Sequence, residues 1–286
     1  MGCERGHATV EWAGIVLLTA VALGVFGTFA AQPDGRSLGA LIAHSIACAA
    51  RARCDDGARA LAHAYGEQDA ALVRMHAPGL VYEPRTGAVP VDFRDCRAPT
   101  CAGAADGGGA DVHRAASGAR ATAFSRVIHR RGETFIQYWL YYPESSNTSP
   151  GPLSLTMLDD GVLPVHHRDD WESYQVRVDA AGRVSARASS HRGYQGCKLG
   201  DCRDRWAPAT GWTRVSRGSH AGHIPMRGGR PLYPGAALRE RTTSAPGMRL
   251  VPLETLDRGS YRPLDPGISP PWRKRAYRDP LTDSTG

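Results

Sequence analysis

Residues 12–31 constrain this chain more than any other stretch. From Trp12 to Ala31 every residue is apolar or small, apart from Thr19 and Thr28. Coiled as a helix at about 1.5 Å per residue, the run reaches roughly 30 Å, the thickness of a bilayer's hydrocarbon core. A buried core helix or a cleaved secretory segment fits less well, because the run is long and starts close to residue 1. Arg5 is the sole basic residue on its short side, which the positive-inside rule reads as a cytoplasmic N-terminus. The expectation is a single-pass protein of the cell membrane whose C-terminal domain is extracytoplasmic.

The cysteines point the same way independently. Cys3 lies before the apolar run, and the other six follow it as near neighbours: Cys48 with Cys54, Cys96 with Cys101, Cys197 with Cys202. One odd cysteine on one side and six on the other fit an oxidising compartment and short disulfide-closed loops. None of the pairs has the two-residue spacing of a zinc knuckle. Cys3 precedes the run, so it is not placed like a lipoprotein cysteine.

The segment Gly6-His7-Ala8-Thr9-Val10-Glu11-Trp12 puts a glutamate five residues after a glycine, directly before the apolar helix. It resembles the class III signal of type IV pilins and tight-adherence pseudopilins. That resemblance covers about 25 residues and implies a prepilin peptidase as partner, cutting between Gly6 and His7 and leaving Glu11 at the fifth mature position. In that family the glutamate helps to register subunits.

Apolar residues make up 42% of the 286, enough for a sizeable core, and Gly 33 with Pro 20 favours short strands and turns over long helices. The net charge of +7 is spread out. Only Pro271–Arg278 is locally basic; such a run could touch anionic phosphate or lipid, but it reads first as a solvated tail. No nucleic-acid signature is present. Residues 32–37 form a breaker. Helical spacing at Leu38, Leu41, Ile42, Ser45 and Ile46, and again from Ala60 to Met75, predicts a helical hairpin closed by Cys48–Cys54. Leu80–Pro84 and Val89–Phe93 read as extended pieces, and the Gly/Ala/Ser-rich residues 102–120 as a loose loop. Two hairpins follow: Phe124–Arg130 with Glu133–Tyr142, and Glu172–Asp179 with Arg183–Ser190. A further strand is expected over Trp212–Arg217, then Pro-rich irregular wrapping after residue 225. The predicted fold is a mostly β, β-sandwich-like domain at 77–286, after a helical linker at 32–76 and a signal and transmembrane helix at 1–31.

The densest chemistry lies in Asp159-Asp160-Gly161-Val162-Leu163-Pro164-Val165-His166-His167-Arg168-Asp169-Asp170-Trp171-Glu172. Two histidines and five carboxylates suit a divalent cation, with oxygen ligands favouring Ca²⁺, Mg²⁺ or Mn²⁺. If Asp170-Trp171-Glu172 opens a strand, Asp170 and Glu172 share one face, with His167 reaching in from the preceding loop.

His166–Glu172 resembles the heptapeptide Gly-His-Arg-His-Asp-Trp-Glu of necrosis-inducing (NPP1-type) proteins, and equally the His-x-x-Asp-Trp-Glu segment of the fungal vacuolar-sorting-type family. Around it, Gln137–Pro143 is similar to their Tyr/Trp-rich strand, Ala188–Tyr194 to a Ser-x-His-Gly element, and Val215–Ala221 to the Arg-Gly-Ser-His-Ala element of the vacuolar-sorting-like group. The matches span about a third of the chain. The resemblance implies a β-sandwich with a divalent-cation pocket, Ca²⁺ or Mg²⁺ foremost, held by Asp159, His167, Asp170 and Glu172. Asp160 is an alternative to Asp159, and His191 and His220 are pocket-lining candidates. The sequence departs from the heptapeptide at His166 and at Asp169, the latter adding negative charge to the implied pocket. Ser189, Ser190 and Ser219 stand beside histidines, but no Gly-x-Ser-x-Gly elbow supports a serine nucleophile. Three functions follow: recognition of an envelope lipid or glycan through the cation, hydrolysis of envelope material with His191 or His220 as acid or base, or a structural pseudopilin-like subunit.

Overall fold

Aromatic and β-branched residues flank Arg131-Gly132 on both sides, and they close into the hairpin on which the fold is built. The computed structural model describes residues 57–84, 86–105, 111–146, 166–190, 193–195, 206–224, 226–227, 230–231 and 241–282. Its strands are β1 (Gly79–Tyr82), β2 (Thr122–Arg130), β3 (Glu133–Ser146), β4 (His166–Val178), β5 (Val184–Ser190), β6 (Gly193–Gln195), β7 (Ala207–Pro208), β8 (Trp212–Val215), β9 (Gly222–His223), β10 (Met226–Arg227), β11 (Arg230–Pro231), β12 (Arg241–Thr243) and β13 (Arg249–Pro252). Arg131 and Gly132 have φ of 54° and 75°. Two left-handed residues between paired Arg130 and Glu133 are what a tight two-residue hairpin loop needs.

The larger sheet runs β13-β2-β3-β4-β5-β6, with β7 beside β5, and a smaller one runs β12-β1-β8-β9. A β10–β11 ribbon stands apart from both. The domain is thus mostly β, with two sheets and few helices. Strand β3 is buried continuously from Phe135 to Pro143, as a central strand covered on both faces must be. The helix Ala58–Met75 supplies part of that cover: Leu61, Ala70 and Val73 are buried, and the Tyr138 hydroxyl donates to Val73 O at 2.7 Å. The helix breaks its regular path at Gly66, at φ 77°.

Both expected hairpins are present. Strand β4, however, begins at His166 rather than near Glu172, so His167 lies in the strand and not in a loop before it. The reason is the long partner: β3 runs on to Ser146 and pairs with β4 as far as Ser146–His166. Gly103, Ala104, Asp111, Ala115 and Arg120, taken above as loose loop, are instead tied by isolated bridges. The segment after residue 225 is more ordered than expected, since β12 pairs with β1 and β13 with β2.

Pro271–Arg278 is not a solvated tail. Pro271, Ala276 and Tyr277 are buried, Gln137 Nε2 donates to Ala276 O at 2.6 Å, and Arg187 Nη2 donates to Pro280 O at 2.6 Å. Apolar residues interleaved with basic ones let the segment lay one side on the sheet while Arg273, Arg275 and Arg278 stay exposed.

Cys96 and Cys101 are joined as a disulfide. The chain divides into two compact units, Met1–Cys54 and Asp55–Gly286, and the described residues lie in the second. Trp12–Ala31, Gly6, Glu11, the first half of the expected helical hairpin, Cys48, Cys54, Cys197 and Cys202 lie outside them. Among the described residues no helix is long and apolar enough to cross a membrane.

Candidate functional site

Strand alternation sorts the residues of β4 into two sets. Asp170 pairs with Tyr142 across the β3–β4 ladder and Glu172 with Leu140, so both carboxylates leave on the same side of the sheet. Trp171 leaves on the other side and joins an aromatic cluster. Its ring lies 5.0 Å from Tyr141, 5.5 Å from Phe124 and 5.7 Å from Phe93, and its Nε1 donates to Tyr261 OH at 3.1 Å. That packing fixes where the neighbouring acids point.

Asp169 belongs to Trp171's side. Fully buried at φ 61°, it accepts from Arg97 Nη2 at 2.7 Å, from the Tyr141 hydroxyl at 2.8 Å and from the Leu264 N–H. The expectation that Asp169 adds charge to a cation pocket is therefore corrected. Its negative charge is answered by Arg97 within the aromatic layer.

His220 reaches the acidic pair from the other sheet. Residues 216–221 form a tight turn after β8, closed by Ser216 N–H to Ala221 O at 3.0 Å and His220 N–H to Ser216 O at 3.1 Å, with His220 itself at φ 52°. A non-glycine residue in that region is uncommon, and such strain gathers where a side chain must be aimed. Two residues on, Gly222 brings β9 hard against β5: a Cβ there would meet Ala188 Cβ at 3.0 Å. The result places His220 Nδ1 3.0 Å from Asp170 Oδ2 and lays the imidazole flat on the Tyr142 ring, 3.9 Å between centroids and 5° between planes. Beside an ionised carboxylate Nδ1 is the donor. His220 also borders a cleft of about 370 Å³ whose walls include Ala102, Glu144 and Arg217.

Burial pushes the Glu172 carboxyl well above the ordinary carboxylate range, and the Asp170 charge pushes it further. The Ser189 hydroxyl donates to Glu172 Oε2 and works against this shift, while it accepts the Ser173 N–H at 2.6 Å. Lys274, whose Nζ donates to Trp171 O at 3.3 Å, is the cation that feels both acids. Burial holds its own proton affinity below the usual lysine value, against the attraction of Glu172 and Asp170.

Asp170 and Glu172 thus offer hard oxygen donors on one side of the sheet. Among the described residues no group of three or more His, Cys, Asp or Glu side chains is gathered to hold an ion. Two carboxylates are fewer oxygen donors than a divalent cation takes, so the described residues by themselves do not complete a cation site. Asp159, Asp160 and His191 are outside them. His167 is half-buried, and its Nδ1 lies 3.3 Å from Arg168 O. Asp170, Glu172 and His220 are the predicted residues that the fold brings together. Sequence reasoning missed Tyr142, Lys274 and Ser189 as site neighbours. The ladder register carries a signal only for Tyr142, which stands opposite Asp170.

No protein-family model and no curated protein matches the chain. Among solved structures it is similar to NLPPya in complex with glucosamine, at 17% identity over 75% of this chain and 89% of that one, with a TM-score of 0.41. It is similar also to a structure described as a toxin fold for microbial attack and plant defense, at 18% identity over 66% and 75% with a TM-score of 0.34. A third is Necrosis and Ethylene inducing Protein 2 from the causal agent of cocoa's witches' broom disease, at 13% identity over 64% and 73% with a TM-score of 0.31. At these identities and TM-scores the likeness carries no ligand, ion or activity across, and the site stands on its own residues.

Proposed function

We propose that this chain is a recognition module that binds a lipid headgroup or glycan on the outer face of the membrane through a divalent cation. Asp170 and Glu172 would hold the ion, joined by His167 and by Asp159 or Asp160, with Ca²⁺ or Mg²⁺ as the natural occupant of an oxygen-rich site. In this reading His220 anchors Asp170 from behind, and the cleft beside it takes the ligand. Trp12–Ala31 would anchor the chain, and a prepilin peptidase cutting after Gly6 would free the end that carries Glu11. The observation that carries the proposal is the pair of buried carboxylates on one side of the sheet, one of them pushed by burial and by its neighbour's charge well above the ordinary carboxylate range, a shift that added positive charge would relieve. A bound cation supplies that charge and leaves coordination positions that vicinal hydroxyls or a phosphate can take.

The test uses the full chain in detergent micelles, as wild type and as the Asp170→Asn plus Glu172→Gln double variant. At a hundredfold excess of Ca²⁺ or Mg²⁺ over Kd, binding adds about 2.7 kcal/mol, which for a domain of this size raises Tm by roughly 5–10 °C. The double variant is expected to show no rise. Vesicles carrying glycosylated or phosphorylated headgroups then bind wild type with the ion and lose it on chelation. No cation response in wild type overturns the proposal.

A second reading is favoured by the Asp170–His220 contact. A carboxylate on Nδ1 prepares an imidazole to act as a general base, and this one borders a cleft. Hydrolysis of envelope material that His220→Gln abolishes, while ion binding persists, would put that reading first.

A further inference from the structure

Apart from Lys274, the basic run Pro271–Arg278 takes no part in the site described above. It is pinned to the sheet: the Ala276 carbonyl accepts from Gln137, and the buried Tyr277 ring lies under the Arg126 guanidinium, 3.5 Å from its centroid. Arg258 reaches the same tyrosine and donates from Nη2 to its hydroxyl at 2.6 Å. Two residues on, Asp279 pairs with Arg130 at the end of β2. The Leu281 N–H, Arg130 and Arg275 together hold the Asp279 carboxyl below its ordinary range. Arg126, Arg130 and Arg258 are thus gathered beside the short helix Arg275–Arg278, which carries two more arginines of its own. The described carboxylates paired with this group are Glu254, 3.8 Å from Arg126, and Asp279, so positive charge is in excess. The guanidinium groups of Arg273 and Arg278 stand exposed, with no hydrogen-bond or ion-pair partner among the described residues. On Arg126, Nε and Nη1 make no hydrogen bond among them either.

Exposed arginines short of acids fit a surface of phosphates, because the guanidinium fork matches phosphate oxygens and gives up water more readily than an ammonium. A loose basic tail would lose that gain to the entropy of ordering. This one is ordered in advance by the burial of Pro271, Ala276 and Tyr277, so docking costs less. Trp12–Ala31, read above as a membrane anchor, decides the source of phosphate, since a tethered chain meets the headgroups of its own bilayer at high effective concentration. We propose that the face formed by Arg126, Arg130, Arg258, Arg273, Arg275 and Arg278 docks on the anionic headgroups of a lipid bilayer. The arginines would lie among the phosphates while the apolar side of the same segment stays on the sheet. The inference is independent of the cation site and takes from the proposed function only the membrane anchor.

The test follows hydrogen exchange at the Tyr277 and Asp279 amides, which lie within the face and donate to Lys274 O and Arg275 O. The full chain is held in nonionic-detergent micelles, into which phosphatidylglycerol or phosphatidylcholine is mixed. Phosphatidylglycerol is expected to slow exchange at both amides and phosphatidylcholine to leave it unchanged, and added salt is expected to reverse the effect by screening. An arginine close to an anionic surface contributes about fivefold, so Arg273→Gln, Arg275→Gln and Arg278→Gln together are expected to raise the phosphatidylglycerol needed by about 100-fold. The same three positions changed to lysine keep the charge and are expected to recover most of the response. Equal slowing by both lipids overturns the inference, as does a triple glutamine variant that responds like wild type. Equal slowing by a short DNA duplex without phosphatidylglycerol also overturns it, by making the face a general polyanion site. A failed cation titration leaves this inference standing. If the chain proves soluble without detergent the anchor fails, and the same exchange measured with phosphatidylglycerol vesicles decides the docking.

Discussion

Replacing Asp169 by alanine tests which side of the sheet each acid of β4 serves. Asp169 is fully buried and accepts three hydrogen bonds, from Arg97, Tyr141 and the Leu264 N–H. Its removal leaves the Tyr141 hydroxyl and the Leu264 N–H without their acceptor, at about 1–3 kcal/mol for each well-buried group. Arg97 loses its ion pair, but its side chain is 26% exposed and keeps a bond to Arg262 O at 2.7 Å and a stack on Tyr261, so most of its charge can be rehydrated. The total comes to about 3 kcal/mol, or roughly 6–12 °C in Tm for a domain of this size. Asp169→Asn keeps one acceptor and turns an amide toward the Leu264 N–H, at about half that cost. Urea unfolding followed by tryptophan fluorescence measures both, and a cycle with Arg97→Ala is expected to give a coupling of about 1 kcal/mol. Because Asp169 faces away from Asp170, Asp169→Asn leaves Ca²⁺ affinity within about twofold of wild type. An alanine variant within about 0.5 kcal/mol of wild type would refute the clasp. A tenfold change in Ca²⁺ affinity for the asparagine variant would refute the assignment of faces.

Two further outcomes follow from the same structure. Since the Glu172 carboxyl is raised in the folded state, the folded chain keeps a proton that the unfolded chain loses above the ordinary glutamate range of about 4.3. Its contribution is present below that pH and is lost as pH rises, at up to about 1.4 kcal/mol per pH unit until the folded carboxyl ionises too. Glu172→Gln is therefore expected to match wild type near pH 4 and to exceed it increasingly at higher pH in chelator, as urea titrations across pH will show; a constant difference would count against the burial argument. Reduction of Cys96–Cys101 opens a loop with a sequence separation of 5, for which chain entropy predicts a loss of about 2 kcal/mol. Differential scanning calorimetry with and without reductant measures it, and an unchanged Tm would show that Arg97 and its neighbours hold the loop without the bond.

What the sequence determined by itself is local. Alternation of side chains along an extended backbone is a property of a few consecutive residues, so both hairpins, the opposition of Trp171 to Asp170 and Glu172, and a short Cys96–Cys101 loop were all legible. The sequence did not reveal what each side of a strand would meet. Asp169 looked like an extra charge for a pocket, and only the path of the chain brings Arg97 to it from 72 residues away. His220 was a pocket candidate by resemblance alone. Its bond to Asp170 across 50 residues depends on Gly222 letting β9 close on β5. The basic run Pro271–Arg278 read as solvated because charge dominates its composition. The sheet buries its apolar side and sets Lys274 against Glu172. Composition and periodicity specify how a segment folds, whereas its partners depend on the closure of long loops, whose contacts are encoded in no single stretch of chain.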